Sequence, residues 1–371
     1  FSWGWLSTIF GEILFVFNLK LLFCGTVAIS PVFVEAVAAA TFEYGETAAQ
    51  ETYFLSSELA GRSVGSAQEA ATVQYLSDRL VELGYTPTLQ PFTYDFQGTS
   101  LTSYNVIAER QGTSDKHIIL GAHYDTDPSS ATLDRSALEG TNDNASGVGV
   151  LLELAERQVL DPTVTSKFVF FGAEEIGLVG SEFYANTLSG AEIANSLFML
   201  NLDSLVFGDF MYFNAGRGAV DNPDWFQYRD LALEIAAENG IDARTNPGLN
   251  NFYPAGTGCC SDLESFDFLM PVLAAEATNW SIGDLDGFTQ TADPRVPNGR
   301  TWHDPATDNQ AFINEIFPGL IEQRTRDYTL VLDKLVGEVN ASYVSVPEPM
   351  STAALLLVAT GGGLMMRRRR A

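Results

Sequence analysis

The chain has 371 residues and 46% hydrophobic side chains, enough for one large or two modest folded domains, so disorder is not the default reading. A net charge of −27, from 47 acidic against 20 basic side chains, speaks against nucleic acid and anionic membrane surfaces as partners; it suits a soluble protein that meets cations, metals or basic peptides. Three cysteines, Cys24 and the adjacent Cys259 and Cys260, are too few for a disulfide scaffold or a thiolate zinc site, and leave a vicinal disulfide or two free thiols open.

In chain order, residues 1–40 read as a leader. Lys20, the apolar run Leu21 to Val34 and the small residues Ala36, Ala38, Ala39 and Ala40 follow the order of a secretory signal, with cleavage near Ala40; a membrane helix is the alternative, against which Glu35 and the alanines weigh. The body, 41–345, alternates helices and strands. Ser66 caps a helix carrying Ala70, Val73, Leu76, Leu80 and Leu83, stopped by Gly84. Residues 86–96 and 103–110 alternate like paired strands, and 116–122 is a short buried strand. A helix over 146–159, a strand at 168–171, a helix over 181–188 and a strand through 198–202 follow. Helix 223–239, strand 271–276 and one long helix over 308–338 complete the pattern. Such alternation predicts an α/β fold whose mostly parallel sheet is sandwiched by helices and binds ligands at the C-terminal strand ends.

At 346–371, Val346-Pro347-Glu348-Pro349 precedes an apolar stretch, Ser351 to Met366, and then Arg367 to Arg370. About 16 apolar residues is near the lower limit for a bilayer span, and the arginines would hold the end in the cytoplasm. This order resembles the PEP-CTERM tails recognised by exosortase systems. The resemblance implies transient membrane anchoring by the C-terminal helix, an exosortase-type sorting partner and export to the cell envelope or beyond.

Three apolar strands end in metal-competent side chains: Gly121-Ala122-His123-Tyr124-Asp125, Gly172-Ala173-Glu174-Glu175 and Asn201-Leu202-Asp203. Between the first two, Thr141-Asn142-Asp143-Asn144-Ala145-Ser146-Gly147 opens a helix, a capping loop that can also carry a ligand. Zinc favours imidazole and carboxylate, and a two-metal hydrolase needs a shared carboxylate. Such a site also needs a second imidazole. Of the three histidines, His117 begins the strand that His123 ends and falls at the opposite end of the sheet, which leaves His303. Glu174 and Glu175 point to opposite sides if strand geometry continues, so one can bind metal while the other serves as acid/base. Asp125 shares a face with His123 and is placed to orient its ring. Asp262, Asp284, Asp286 and Asp304 read as exposed loop acids, with a grip on a basic N-terminal residue or a structural calcium as the alternative.

The series HYD, TNDNASG, GAEEIGLVGSEFYA, LNLDS and a late histidine resembles the zinc-dependent exopeptidase family of secreted bacterial aminopeptidases, which also holds glutamate carboxypeptidase-like and transferrin-receptor-like members. The likeness runs from about Leu59-Ala60-Gly61-Arg62 to the last helix, and segment 281–308 looks most like the aminopeptidases that trim alkaline phosphatase into its isozymes. It implies a three-layer α/β/α sandwich with a mixed sheet and two zinc ions per chain. One zinc would take His123 and Asp203, the other Glu175 and His303, with Asp143 bridging and Glu174 as general base. Its substrates would be peptide or protein N-termini. Leu263 stands where many relatives carry a histidine, and His303 follows Trp302 rather than a tyrosine; neither change removes a ligand. A single-zinc glutaminyl cyclase, a carboxypeptidase-like member or a non-catalytic envelope or matrix protein are the alternatives. The presence of both His123 and His303 favours two metals.

Overall fold

The structure, a computed structural model, describes residues 43–343 apart from 97, 129–134 and 159–160; the leader and tail read from the sequence lie outside the described residues. Among the described residues, no helix is long and apolar enough to cross a membrane. Eight strands of the described residues form one mixed sheet: β1 (Thr88–Phe96), β2 (Thr99–Arg110), β3 (His117–His123), β4 (Thr165–Phe171), β5 (Ser196–Leu202), β6 (Phe210–Ala215), β7 (Ala243–Arg244) and β8 (Val272–Thr278). Their order is β1-β2-β4-β3-β5-β8-β6-β7. The central four, β4, β3, β5 and β8, run parallel. β2 joins β4 and β6 joins β8 in antiparallel fashion, so the sheet is mixed, as expected.

Period-two alternation gives each central strand two apolar faces. Ile118, Leu120, Ala122, Phe168, Phe170, Phe198, Leu200, Leu273 and Ala275 face one core. There they meet α1 (Glu46–Glu58), α2 (Ala67–Glu82), α3 (Ser146–Arg157), α6 (Gln227–Glu238) and α8 (Leu320–Ser342). Ile119, Val169, Phe171, Met199, Val272 and Ala274 face the other, covered by α4 (Val179–Thr187), α5 (Gly190–Asn195) and a helical turn at Asp262–Ser265. Helices on both faces make the three-layer α/β/α sandwich. Each fully buried Phe on these strands contributes about 2–3 kcal/mol of transfer free energy, which ties the sheet's register to the core.

Several elements differ from the sequence reading. The long C-terminal helix is two: α7 (Gln310–Ile316) ends at Phe317, and α8 starts after Gly319 at φ 79. Pro318 explains the break, since a residue before proline is pushed out of helical geometry. Residues Pro223–Phe226 form a tighter 3-10 turn before α6. α1, α5, β6 and β7 were not anticipated. The Ser66 cap is present, its Oγ accepting from Glu69 N at 2.9 Å.

Candidate metal centre

Parallel pairing places the C-terminal ends of β4, β3 and β5 side by side, with His123 opposite Phe171 and Gly121 opposite Asn201. His123 is the last residue of β3, Glu174 and Glu175 follow β4, and Asp203 follows β5. Gly172 starts the turn toward the glutamates, where a Cβ would lie 2.6 Å from both Ser103 Oγ and Tyr124 Oη; a side chain here would push the turn off the sheet. His117 sits at the far end of β3, against Ser196 Oγ at 2.7 Å, as its spacing required.

Asp143 is delivered by the segment Thr141–Ala145, ahead of α3, with a cis peptide to Asn144. Asp308 accepts from Asn142 N at 2.7 Å and Asp143 N at 3.2 Å. Asn144 donates to Leu202 O at 2.9 Å and accepts from Gly147 N at 3.0 Å, so one side chain caps α3 and ties it to β5. Arg62, fully buried, donates to Tyr124 O, Glu139 O and Gly140 O. Burial brings its pKa down to about 10, with Asp308 and Asp143 resisting the fall.

The side chains converge. His123 Nε2 lies 3.1 Å from Asp143 Oδ1 and 3.5 Å from Asp203 Oδ1. His303 Nε2 lies 3.4 Å from Asp143 Oδ2 and 3.0 Å from Glu175 Oε2. Two donor sets, His123–Asp143–Asp203 and Asp143–Glu175–His303, therefore share Asp143, each with its donor atoms within 4.8 Å of one another; Glu174 joins His123 and Glu175 in a third. A tetrahedral zinc site with bonds of about 2.0–2.1 Å spaces its donors about 3.3 Å apart, so these sets fit the ion. Buried His123 Nδ1, Glu175 Oε1 and Asp203 Oδ1 also find no hydrogen-bond partner among the described residues.

The electrostatics agree. Partial desolvation opposes the His303 cation, yet Glu175 and Asp143 carry its pKa up to about 12. Burial likewise opposes the His123 cation, and Glu174 and Asp203 lead the acids that overcome it. Burial raises Asp143, but His123 and His303 outweigh it and hold the carboxyl well below its usual range. Glu175 rises to about 7 through burial and the neighbouring Asp143. Glu174 rises well above its ordinary value, chiefly through burial, with Glu175 and Asp262 adding to the push against His123. A cluster that drives both imidazoles toward the cationic form calls for positive charge, which divalent cations supply.

Asp125 does more than its spacing suggested. Its carboxylate lies 3.7 Å from His123 Nδ1, beyond hydrogen-bond length, and accepts from Glu174 N at 3.0 Å and Glu175 N at 3.3 Å. It thus fixes the backbone of both glutamates. Asp127, missed in the sequence, lies 3.4 Å from His303 Nδ1, and Arg135 donates to the His303 carbonyl. Its signal was the second acid of the His123–Asp127 run. Asp308 and Glu276 were missed too; only the lone acid in the apolar run of β8 hinted at Glu276. Asp262, expected on an exposed loop, is fully buried, and burial pushes it up to about 7, with His123 and Ser181 acting against the rise. Ala173, Ser204, Cys260 and His303 adopt left-handed backbone at φ 52 to 69, a concentration typical of functional sites.

The donors open on a cleft of about 320 Å³, whose lining includes Asp143, Glu174, Glu175, Asp203, Glu276, Asp286 and His303 and holds no lysine or arginine among the described residues. The pair Cys259–Cys260 also lines it, as a disulfide. The side chain of His303 is 47% exposed, the open flank of an otherwise buried donor group.

The chain is 37% identical over 332 residues to the alkaline phosphatase isozyme conversion protein of Escherichia coli, covering 84% of this chain and 95% of that relative. It is 32% identical over 208 residues to leupeptin-inactivating enzyme 1 of Streptomyces exfoliatus, covering 55% of this chain and 39% of that protein. The fold matches that of a zinc aminopeptidase from Bacillus subtilis with a TM-score of 0.61 at 16% identity, over 80% of this chain and 95% of that one. It also matches a glutaminyl cyclase of Porphyromonas gingivalis at 0.59 and 21% identity, over 82% and 100%. A family model spans residues 105–320, every candidate donor included, and by that match and the Escherichia coli relative this chain belongs to Peptidase family M28.

Proposed function

We propose that this chain is a two-zinc aminopeptidase that removes residues from peptide or protein N-termini. The observation that carries the reading is the pair of donor sets sharing Asp143. His123 and Asp203 would hold one ion and Glu175 and His303 the other. Zinc bound there supplies Lewis-acid polarisation of the scissile carbonyl and a water of lowered pKa. Asp125 keeps the two glutamates in place through their backbone N–H groups. Glu174, at the edge of the donor cluster and lining the cleft, takes the proton of the attacking water and returns it to the departing amine. The acids of the cleft lining hold the free ammonium of the substrate, which limits attack to the N-terminal bond.

The likeness to a glutaminyl cyclase supports a second reading, with one zinc and cyclisation of an N-terminal residue. Two complete donor sets weigh against it. For the chain's ends, the sequence alone supports an exported protein whose leader, 1–40, is removed and whose tail, 346–371, anchors it in the membrane until an exosortase-type enzyme acts. The mass of the mature protein tests both cuts.

The deciding experiment is zinc content by plasma mass spectrometry together with hydrolysis of aminoacyl-anilides. Two zinc per chain, turnover lost to chelator and restored by zinc, is the expected result. Glu174→Gln should then keep its zinc and lose about 10²–10⁴-fold in kcat. One zinc with cyclisation in place of hydrolysis would install the cyclase, and a folded protein that never takes up metal would overturn both.

A further inference from the structure

We infer that the Cys259–Cys260 disulfide is a specificity-determining wall of the cleft, set against the side chain of the substrate's N-terminal residue; the inference rests on the exopeptidase reading above. A bond between adjacent residues closes a small ring through the backbone, so neither side chain can turn away from its place. What it presents to the cleft is a fixed, polarisable sulfur surface that makes little demand for hydrogen bonds.

Its surroundings show a built wall rather than a loose loop. On one side the chain is anchored to β6, Ala215 N donating to Gly256 O at 2.8 Å and Gly258 N to Ala215 O at 2.9 Å. On the other, Asn201 donates to Ser261 Oγ at 3.1 Å, and Ser261 is buried. The two cysteines bridge these anchors along the cleft. Cys260 N donates to Glu264 Oε1 at 3.0 Å, and Tyr253 Oη lies 3.4 Å from Cys260 Sγ. Cys259 Sγ lies 3.5 Å from the Asp286 carbonyl, on the loop that carries Phe288 to the same cleft. Tyr253 in turn packs edge-on against Trp280, whose indole N–H donates to Glu276 at 2.8 Å. The disulfide thus lies where its own loop meets the loop of Asp286 and Phe288, and both loops line the cleft. Opened to two thiols, its side chains regain their rotamers, and the wall loses its shape while the strand ends that hold the donors keep theirs.

The test compares oxidised and reduced full-length enzyme, in zinc buffer, on anilides from alanine to leucine, phenylalanine and arginine. A trialkylphosphine opens the bond without binding zinc as a dithiol would. Phosphorus attacks one sulfur, the S–S bond breaks, water supplies the oxygen of the phosphine oxide, and its two protons end on the two thiols. For the best large residue, reduction should raise KM about tenfold, the size of effect that about one buried methylene produces. Alanine should change less than about twofold and kcat stay within about twofold. Reoxidation should restore the profile, and the double variant Cys259→Ala/Cys260→Ala should match the reduced enzyme and ignore phosphine. The same fall on every side chain, a fall in kcat alone, or an unchanged profile with both thiols titrated would each overturn the wall. If the oxidised zinc-loaded enzyme cleaves no anilide, the exopeptidase reading fails and takes this inference with it.

Discussion

Strand β3 begins with one buried histidine and ends with another, and the two ends of the sheet treat the same ring in opposite ways. At the N-terminal end, burial and then Lys167 bring His117 down to about 4, so it is neutral and hydrogen-bonded to Ser196. At the C-terminal end, Glu174 and Asp203 lift His123 well above its ordinary value against the same burial. One end is a satisfied core; the other is an acid cluster in which His123 Nδ1, Glu175 Oε1 and Asp203 Oδ1 are buried without a hydrogen-bond partner among the described residues. Core stability and site chemistry therefore separate along a seven-residue strand, and each end can be broken without the other.

The largest effect should come from the carboxylate common to both donor sets. Asp143→Asn should drop zinc below one ion per chain and lower kcat/KM by more than the hundredfold that loss of a supporting group costs. The far end should not notice, so His117 should titrate in the metal-free variant as it does in metal-free wild type, read by NMR. A shifted His117 titration would mean that the two ends of β3 are not separable.

Arg62 tests the framework that joins the two. It is buried, and four backbone carbonyls, those of Leu55, Tyr124, Glu139 and Gly140, take its protons. Arg62→Met leaves those carbonyls and Asp308 without their cation, at a cost of about 3–5 kcal/mol. Urea unfolding of chelator-stripped protein measures this free of metal loss, and a cost below about 1 kcal/mol would remove Arg62 from the framework. Asp125→Asn should act more gently, at about ten- to a hundredfold in metal affinity or turnover. An amide offers one acceptor oxygen where the carboxylate serves both Glu174 N and Glu175 N. Equal activity in the variant would show that the glutamates need no such support.

The same division explains what could be read in the sequence. Strand ends were legible because an apolar run stopping at a His, Glu or Asp records both the burial and the chemistry locally. His303 was found by elimination, since His117 begins the strand that His123 ends. Partners distant along the chain left no such trace. α1 begins at Gly45 with no capping side chain of its own, because Glu153 of α3 accepts from Gly45 N and Ala48 N, more than a hundred residues away. Asp308 reaches the Asp143 segment across a similar distance, and an Asp before a helix reads as an ordinary cap. β6 is buried on both faces and lacks the alternation that marks a half-exposed strand. Asp262 was misjudged because Ser261, Glu264 and Ser265 around it are polar, while burial is set by the packing of the turn against β5 and β8.

The smallest expected effect belongs to the quiet end. His117 has a folded pKa of about 4 against an ordinary 6.5, so the fold favours its neutral form. The sign follows: above 6.5 neither state is protonated and this contribution is intact. As pH falls below 6.5 the unfolded chain takes up a proton that the folded chain refuses, and stability drains away until about 4. Between 6.5 and 5, at about 1.36 kcal/mol per unit, the loss is at most about 2 kcal/mol. His117→Gln can keep a hydrogen bond to Ser196 and has no proton to gain. Its unfolding free energy should therefore fall less between pH 7 and 5 than that of the wild type, by up to about 2 kcal/mol. Lys167, Glu192 and Lys116 are the other charges acting on the ring. Parallel curves for variant and wild type would mean that His117 protonates as readily in the fold as outside it, and the contrast between the two ends of β3 would collapse to the acids around His123 alone.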